Sequence, residues 1–377
     1  TMALRSKLTC LIALTQLCVA LSAHAQSSDS DDLILDALEN ELQRAIQNLG
    51  NEEYPAPYYL AYSVKDERLA RIVAKQGALI LDDVDHGRNA HVDVRVGDYD
   101  FDNSEDIDAE WADEPDFIPL SSLPLSEESQ PLRHAIWLLT DLRYKQAASS
   151  YLRLKGKRLF EAKPTRKRIS HARGEAREYL EALTFEPHDA GRWRQTVSDL
   201  SAQAASPDAV FDSEVEFRAG RTFRWFINSE GTRIRTTHPF FQIHILARTR
   251  ADDGMLLEHS VDRYATREAE LPTDQDLKKA TALMLRELED LRQAPELGPY
   301  TGPALLAPRA AGVFFHEVLG HRLEAHRQDS EHEGQTFADH LGKEVVPTFL
   351  SVHDNPTKTH VGSTPLNGSY VYDDEGE

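Results

Sequence analysis

The sequence predicts an α/β protein of the α+β kind, in which mixed and antiparallel sheets carry packed helices. Three patterns predict it. Alternating apolar and polar residues gather in two blocks, residues 58–96 and 210–264. Stretches with apolar residues at helical spacing stand before, between and after those blocks. In the second block the triplets Ser229-Glu230-Gly231 and Asp252-Asp253-Gly254 separate neighbouring runs, as turns separate the strands of an antiparallel meander. The chain has 377 residues, 40% hydrophobic and 28% charged, enough for two or three domains with a sizeable core. Glycine and proline are spread without a repeat.

Residues 1–25 read as a signal peptide. Arg5 and Lys7 make a positive start, "LTCLIALTQLCVAL" an apolar stretch, and Ala23-His24-Ala25 a small-residue cleavage site. The stretch is about 14 residues, short of the roughly 20 that a membrane span needs. The residues before Cys18 are not the small-residue run of a lipidated cysteine. The chain is therefore expected to be exported, to the periplasm or beyond. Both cysteines, Cys10 and Cys18, lie in this segment, which leaves the rest without disulfides or thiolate ligands. The net charge is −21, and −23 without Arg5 and Lys7. So acidic a chain avoids nucleic acid and anionic lipid.

An N-terminal α/β domain is expected over residues 26–183. "QSSDSDD" reads as a disordered leader. Leu35, Leu38, Leu42, Ala45, Ile46 and Leu49 then recur at helical spacing, with Gly50 as the stop. "YYLAYSVK", "RLARIVAKQGALILDD" and the strictly alternating "HVDVRV" read as strands. Residues 98–116 hold ten acids and no base. Their D-x-D-x-D start resembles a calcium loop, but Asn103 stands where that loop needs glycine and Ala109 where it needs glutamate. A solvated acidic loop is the better reading. A long helix follows from about Pro131 to Ala162. The basic run Arg153–Arg173 is expected to face the protein's own acids or to continue as a solvated linker.

A strand-rich middle domain is expected over residues 184–300. A helix after "FEPHDAG" leads into the meander, and a closing helix over 273–294 is capped by Thr273 and stopped by Pro295. Residues 301–377 would then begin a metal-binding C-terminal domain. "GPALLAP" (Gly302–Pro308) reads as a short apolar strand, and a helix starts near Arg309, with "AAGVFF" burying one side.

That helix carries "FFHEVLGHRLEAH", residues 314–326. His316 and His321 are five residues apart. At about 100° per residue, positions i and i+4 lie about 40° apart on a helix, but i and i+5 about 140° apart. Sharing one ion therefore requires local unwinding. A single π-type turn supplies it, and Gly320 is a place where the backbone can depart cheaply from α geometry. In that case His316 and His321 are metal ligands, a third ligand completes the site, and a water takes the fourth position. Glu317 would act as general base towards that water. From spacing alone, a pair of core or surface histidines is an equally good reading. Glu324, three residues after His321, is a candidate third ligand, or better a carboxylate beside the ligand or on the helix surface. His326 is also close in sequence, while His332, His340, His353 and His360 read as exposed loop histidines. Asp373, Asp374 and Glu375 read as an acidic turn. No glycine-rich phosphate loop, Ser/His/Asp order or nucleophile elbow is present.

"GVFFHEVLGHRLEA", with "GPALLAP" before it, resembles the metal-binding segment of the TldD/PmbA family of metallopeptidases, on its TldD-like side. "YYLAYSV", "GALI", "VRVGDYDFDN", "IWLLTDLRYKQA", "FINSEGTRIR", "DDGM" and "YVYDDEG" extend the resemblance from about residue 55 to the last residue. The resemblance implies the family's N-terminal and middle domains and the start of its C-terminal domain. It implies Zn2+ as cofactor, His316 and His321 as ligands, and Glu317 as catalytic base. It also implies hydrolysis of short or unfolded peptides, held extended, in a closed particle of two TldD/PmbA-type subunits, identical or different. In the family the third ligand is a cysteine of the C-terminal domain, and the chain runs on past the position of Glu377. Glu377 is therefore expected to fall inside a domain. Better-known members are cytoplasmic, whereas export is expected here. Two other readings are a non-catalytic PmbA-like binding or assembly subunit, and a metal-binding protein without protease activity. The presence of His316, Glu317 and His321 argues against the first.

Overall fold

The computed structural model describes residues 32–105, 121–159, 169–184, 186–324, 334–362, 364–366 and 368–377. The expected signal peptide, most of the acidic loop, and part of the basic run lie outside these residues. Eight strands form the main sheet: β1 (Pro57–Lys75), β2 (Ala78–Asp98), β3 (Phe101–Asp102), β4 (Ser121–Ser122), β5 (Glu178–Leu180), β6 (Val210–Asn228), β7 (Arg233–Arg250) and β8 (Leu256–Ala265). Their order is β3-β2-β1-β6-β7. Outside β7, β5 pairs in parallel with its start and β8 antiparallel with the rest, while β4 pairs with β2. The sheet is mixed and mainly antiparallel, as the alternation predicts.

β1 and β2 form one long hairpin, turned at Gln76 and Gly77 with φ of 49° and 87°. Two successive positive φ values are what a tight hairpin turn matching strand twist requires, and glycine accepts them at no steric cost. β1 then pairs with β6 from Ala61↔Asn228 to Lys75↔Glu214. This pairing joins the two strand blocks of the sequence in a single sheet.

Two helical pairs cover one face of that sheet, side by side. At one end Leu60, Tyr62 and Val64 of β1, with Val92 and Val94 of β2 and Trp225 of β6, pack under α1 (Leu33–Asn48) and α2 (Ser129–Arg158). At the other end Ile72 of β1, Phe217 of β6, and Ile243 and Ile245 of β7 pack under α3 (Ala190–Ala204) and α4 (Asp274–Gln293). Leu60, Tyr62, Val64 and Ile72 differ by even numbers, so the two-residue period puts both cores on the same face. Trp193 of α3 is fully buried and stacks on Phe217 with centroids 4.0 Å apart, while its indole N–H donates to Glu268 at 2.8 Å. The large ring is buried and its one polar atom is satisfied.

Caps tie the helices to the sheet. Asp32 accepts the N–H of Leu35 at 3.1 Å, and its other oxygen accepts from Trp225 and Arg235, both at 2.7 Å. The side chain that starts α1 thus also anchors it to β6 and β7. Thr273 caps α4 through the N–H of Asp276, and the helix ends just before Pro295.

The opposite face carries a smaller cluster, Tyr59, Ala61, Phe226 and Ile234, with Tyr179 and Tyr372 against it. Here the last residues of the chain dock. The Arg224 guanidinium donates to the carbonyl of Asp373 at 2.7 Å. The described part of the acidic loop holds itself together: Asp98 accepts the N–H groups of Asp100 and Phe101, and the buried Asp102 accepts from Tyr58 at 2.7 Å. Burial, then that bond to Asp102, pushes the Tyr58 phenol well above its ordinary value. In the basic run, Arg173 lies 3.7 Å from Glu230.

Two local expectations change. "GPALLAP" is not a strand. Residues 302–307 pair with no described strand, and Leu305 is fully exposed. Apolar character alone gives no β-structure where the segment pairs with no strand. The helix after it does form, as α5 (Pro308–Phe315), but it buries none of its residues. Val313, Phe314 and Phe315 are 63%, 47% and 40% exposed. No described helix is long and apolar enough to cross a membrane.

Candidate metal centre

α5 begins with Pro308 in its first turn, where a missing N–H costs nothing and the fixed φ suits a helix. The chain continues through one π turn, His316–Gly320, into a last helical turn, α6 (His321–Leu323). The N–H of His321 donates to the carbonyl of His316. That i→i−5 bond defines the π turn, and it joins the two candidate ligands directly. The five-residue spacing demands such a turn, and the turn is present. One ligand atom from each of His316, Glu317 and His321 lies within 4.8 Å of the others. The imidazole centroids are 4.4 Å apart, with the rings inclined at 71°.

Gly320 plays a smaller part than its position suggests. Its φ and ψ of −51° and −65° are right-handed helical. A Cβ there would meet only the carbonyl oxygen of Phe315, at 3.8 Å. Any L-residue adopts that conformation, so the backbone does not demand glycine. The extra residue between the histidines makes the turn.

His316 and Glu317 are exposed, His321 is half-buried, and Leu319 is the buried anchor of the segment. At the start of α5, Arg309 lies 3.8 Å from Asp262 of β8, and Asp262 in turn meets His244 of β7 at 2.6 Å. Glu324 closes α6. The chain leaves the helix there with ψ of 127°, and the carboxylate reaches back to Nδ1 of His321 at 2.8 Å. Glu324 stands outside the three-residue donor cluster. It is a partner of a candidate ligand rather than a third donor.

The donors suit a transition metal. Two imidazoles and a carboxylate are the set that zinc takes at about 2.0–2.2 Å. Donors at that range from one ion stand roughly 3.5 Å apart in a tetrahedron. Rotation of the exposed His316 and Glu317 side chains would bring the donor atoms to this separation. Glu317 lies close enough either to ligate or to face a water beside the ion.

The other expected residues stay apart. His340, His353 and His360 are exposed, and none joins the cluster. His326 and His332 lie outside the described residues. Asp373 is the hub of a tight turn, its Oδ1 accepting the N–H groups of Glu375 and Glu377, both at 2.9 Å. Sequence reasoning did not find the Arg224–Asp373 and His244–Asp262–Arg309 contacts. Each joins segments far apart in the chain, and no local pattern marks them.

A family profile described as "PmbA/TldA metallopeptidase C-terminal domain" matches residues 299–377. A metalloprotease of Methanocaldococcus jannaschii is 31% identical over 159 residues, 41% of this chain and 32% of the relative. A metalloprotease of Methanothermobacter thermautotrophicus is 28% identical over 188 residues, 48% of this chain and 38% of the relative. A zinc metalloprotease TldD homolog of Saccharolobus solfataricus is 35% identical over 82 residues, 22% of this chain and 16% of the relative.

Over residues 299–377 the chain is similar to the C-terminal domain of the PmbA/TldA metallopeptidases.

The segment matched to the TldD/PmbA C-terminal domain contains α5, the π turn and the Asp373 turn. The chain spans at most 38% of the length of these curated relatives. Among solved structures, TldE from Thermococcus kodakarensis aligns at a TM-score of 0.38 with 12% identity, over 67% of this chain and 47% of that one. A protein of Thermotoga maritima titled a putative modulator of a DNA gyrase aligns at 0.39 with 12% identity, over 66% and 47%.

Proposed function

We propose that the protein is an exported zinc metallopeptidase that hydrolyses short or unfolded peptides, working with a second subunit of TldD/PmbA type. The observation that carries this reading is the π turn that brings donor atoms of His316, Glu317 and His321 within 4.8 Å of one another. The names of the TldD/PmbA relatives, metalloprotease and zinc metalloprotease, support it.

In this reading His316 and His321 hold the zinc through neutral imidazole nitrogens. A zinc ion bound there supplies a Lewis acid that polarises the scissile carbonyl and acidifies a water. Glu317 takes the proton of the attacking water and delivers it to the leaving amine, the work of a general base that turns general acid. Its exposure leaves room for a substrate. An extended peptide is supported by β8, which has no strand on its outer side among the described residues and lies next to Arg309 of the site helix. A subunit partner is supported by the exposed Val313, Phe314 and Phe315, an apolar patch beside the site. Export rests on the signal-like pattern of residues 1–25.

The test is peptide cleavage by the wild type and by Glu317→Gln, with zinc content measured for both. The expected result is a fall in cleavage of at least about a hundredfold with zinc retained, because a general base contributes about that much or more. Equal cleavage by both forms contradicts the role of Glu317. A wild-type protein that binds no zinc replaces the reading with that of a non-catalytic subunit.

A further inference from the structure

We propose that Glu324 is a positioning residue that fixes His321 in the tautomer able to bind metal. The inference rests on the metal reading of His316 and His321.

Nδ1 of His321 lies 2.8 Å from Oε1 of Glu324, a full hydrogen bond. An ionised carboxylate only accepts hydrogen bonds. The proton therefore sits on Nδ1, and Nε2 keeps the lone pair that a metal takes. The bond also fixes the plane of the ring. Glu324 reaches His321 because residues three apart share a helix face. It is also the residue at which the helix ends, with ψ of 127°, which lets the side chain fold back over the last turn. His316 differs: no described side chain hydrogen-bonds its ring, so its tautomer is not set in the same way. The site thus has one pre-oriented ligand and one adaptable ligand.

The arrangement separates Glu324 from the neighbouring acid. Glu317 is grouped with both imidazoles around a shared space, whereas Glu324 lies outside that group and occupies Nδ1 of His321, which leaves Nε2 for the metal. A carboxylate on the far nitrogen raises the basicity of the ligand and holds its direction, and removing such a partner typically costs about 10–100-fold in metal affinity. Glu324 touches no reacting atom.

The experiment uses metal-free protein with isotopically labelled histidine, in which nitrogen NMR shifts report each tautomer, followed by zinc titration. The forms compared are wild type, Glu324→Ala, Glu324→Gln and His321→Ala. The expected wild-type state is Nδ1–H at His321. Glu324→Ala should shift His321 towards Nε2–H, leave His316 unchanged, and weaken zinc binding about 10–100-fold. Glu324→Gln keeps an acceptor oxygen, so it should preserve the tautomer and lose less affinity. An Nε2–H wild type, or a Glu324→Ala form with wild-type tautomer and affinity, overturns the proposal. Zinc binding that is indifferent to His321→Ala overturns the metal reading instead, and the tautomer measurement tells the two failures apart.

Discussion

Gly376 shows how closely the end of the chain is fitted to the sheet. Its φ is +85°, and a Cβ there would come within 2.7 Å of the Phe226 ring. Gly376→Ala meets both backbone strain and overlap, and should lower stability by about 1–3 kcal/mol. Thermal unfolding reads this directly, and an unchanged transition would mean that the Asp373 turn does not dock on β6. The candidate site was legible at this scale because it is local. Two histidines and a glutamate within six residues announce both donor type and spacing, and the spacing itself demanded the π turn. The Arg224–Asp373 tether was not legible, because its members are 149 residues apart and neither residue stands out in its own segment.

Helix ends were the most readable elements. Thr273 and Pro295 bracket α4 as their chemistry dictates, and α1 ends next to Gly50. Thr273→Ala removes the acceptor for the N–H of Asp276 and should cost about 1 kcal/mol, seen as a lower denaturant midpoint with an unchanged slope. The strands were legible one at a time. Alternation says which residues share a face of β1 or β6, but it does not say that β1 pairs with β6. That partnership spans more than a hundred residues and turned two expected strand groups into one sheet. "GPALLAP" fails as a strand for the complementary reason. Its composition suits one, but it pairs with no described strand.

Four partly desolvated histidines make the whole molecule sensitive to acid. Burial, the largest influence in each case, holds His91, His171, His188 and His238 below the ordinary histidine value. Arg95 pushes His171 the same way, and Arg224 and Lys65 do so for His238. The unfolded chain therefore takes up protons at a higher pH than the folded one. This contribution to stability is complete above about pH 6.5 and is lost as the pH falls through that value towards the depressed folded values. Glu216 adds a loss at lower pH. Its burial alone would raise its pKa, but hydrogen bonds from Arg218 and Arg71 outweigh that and hold it below the ordinary glutamate value. The melting temperature should therefore fall between pH 7 and pH 5, and fall further below. A flat profile over that range would mean that the fold does not depress the pKa of these histidines.

At the same scale the metal segment differs from the rest. The sheet and its four long helices make two dense cores, while α5 and the π turn bury only Leu319. The site is built from one short stretch of chain, which is why its geometry depends so directly on the i→i−5 bond between His316 and His321. The most direct test of that geometry is X-ray absorption at the zinc edge of the zinc-loaded protein, wild type against His321→Ala. Two imidazole nitrogens at about 2.0–2.1 Å in the wild type, reduced to one in the variant, is the predicted result. A zinc shell with the same imidazole count in both forms would contradict it.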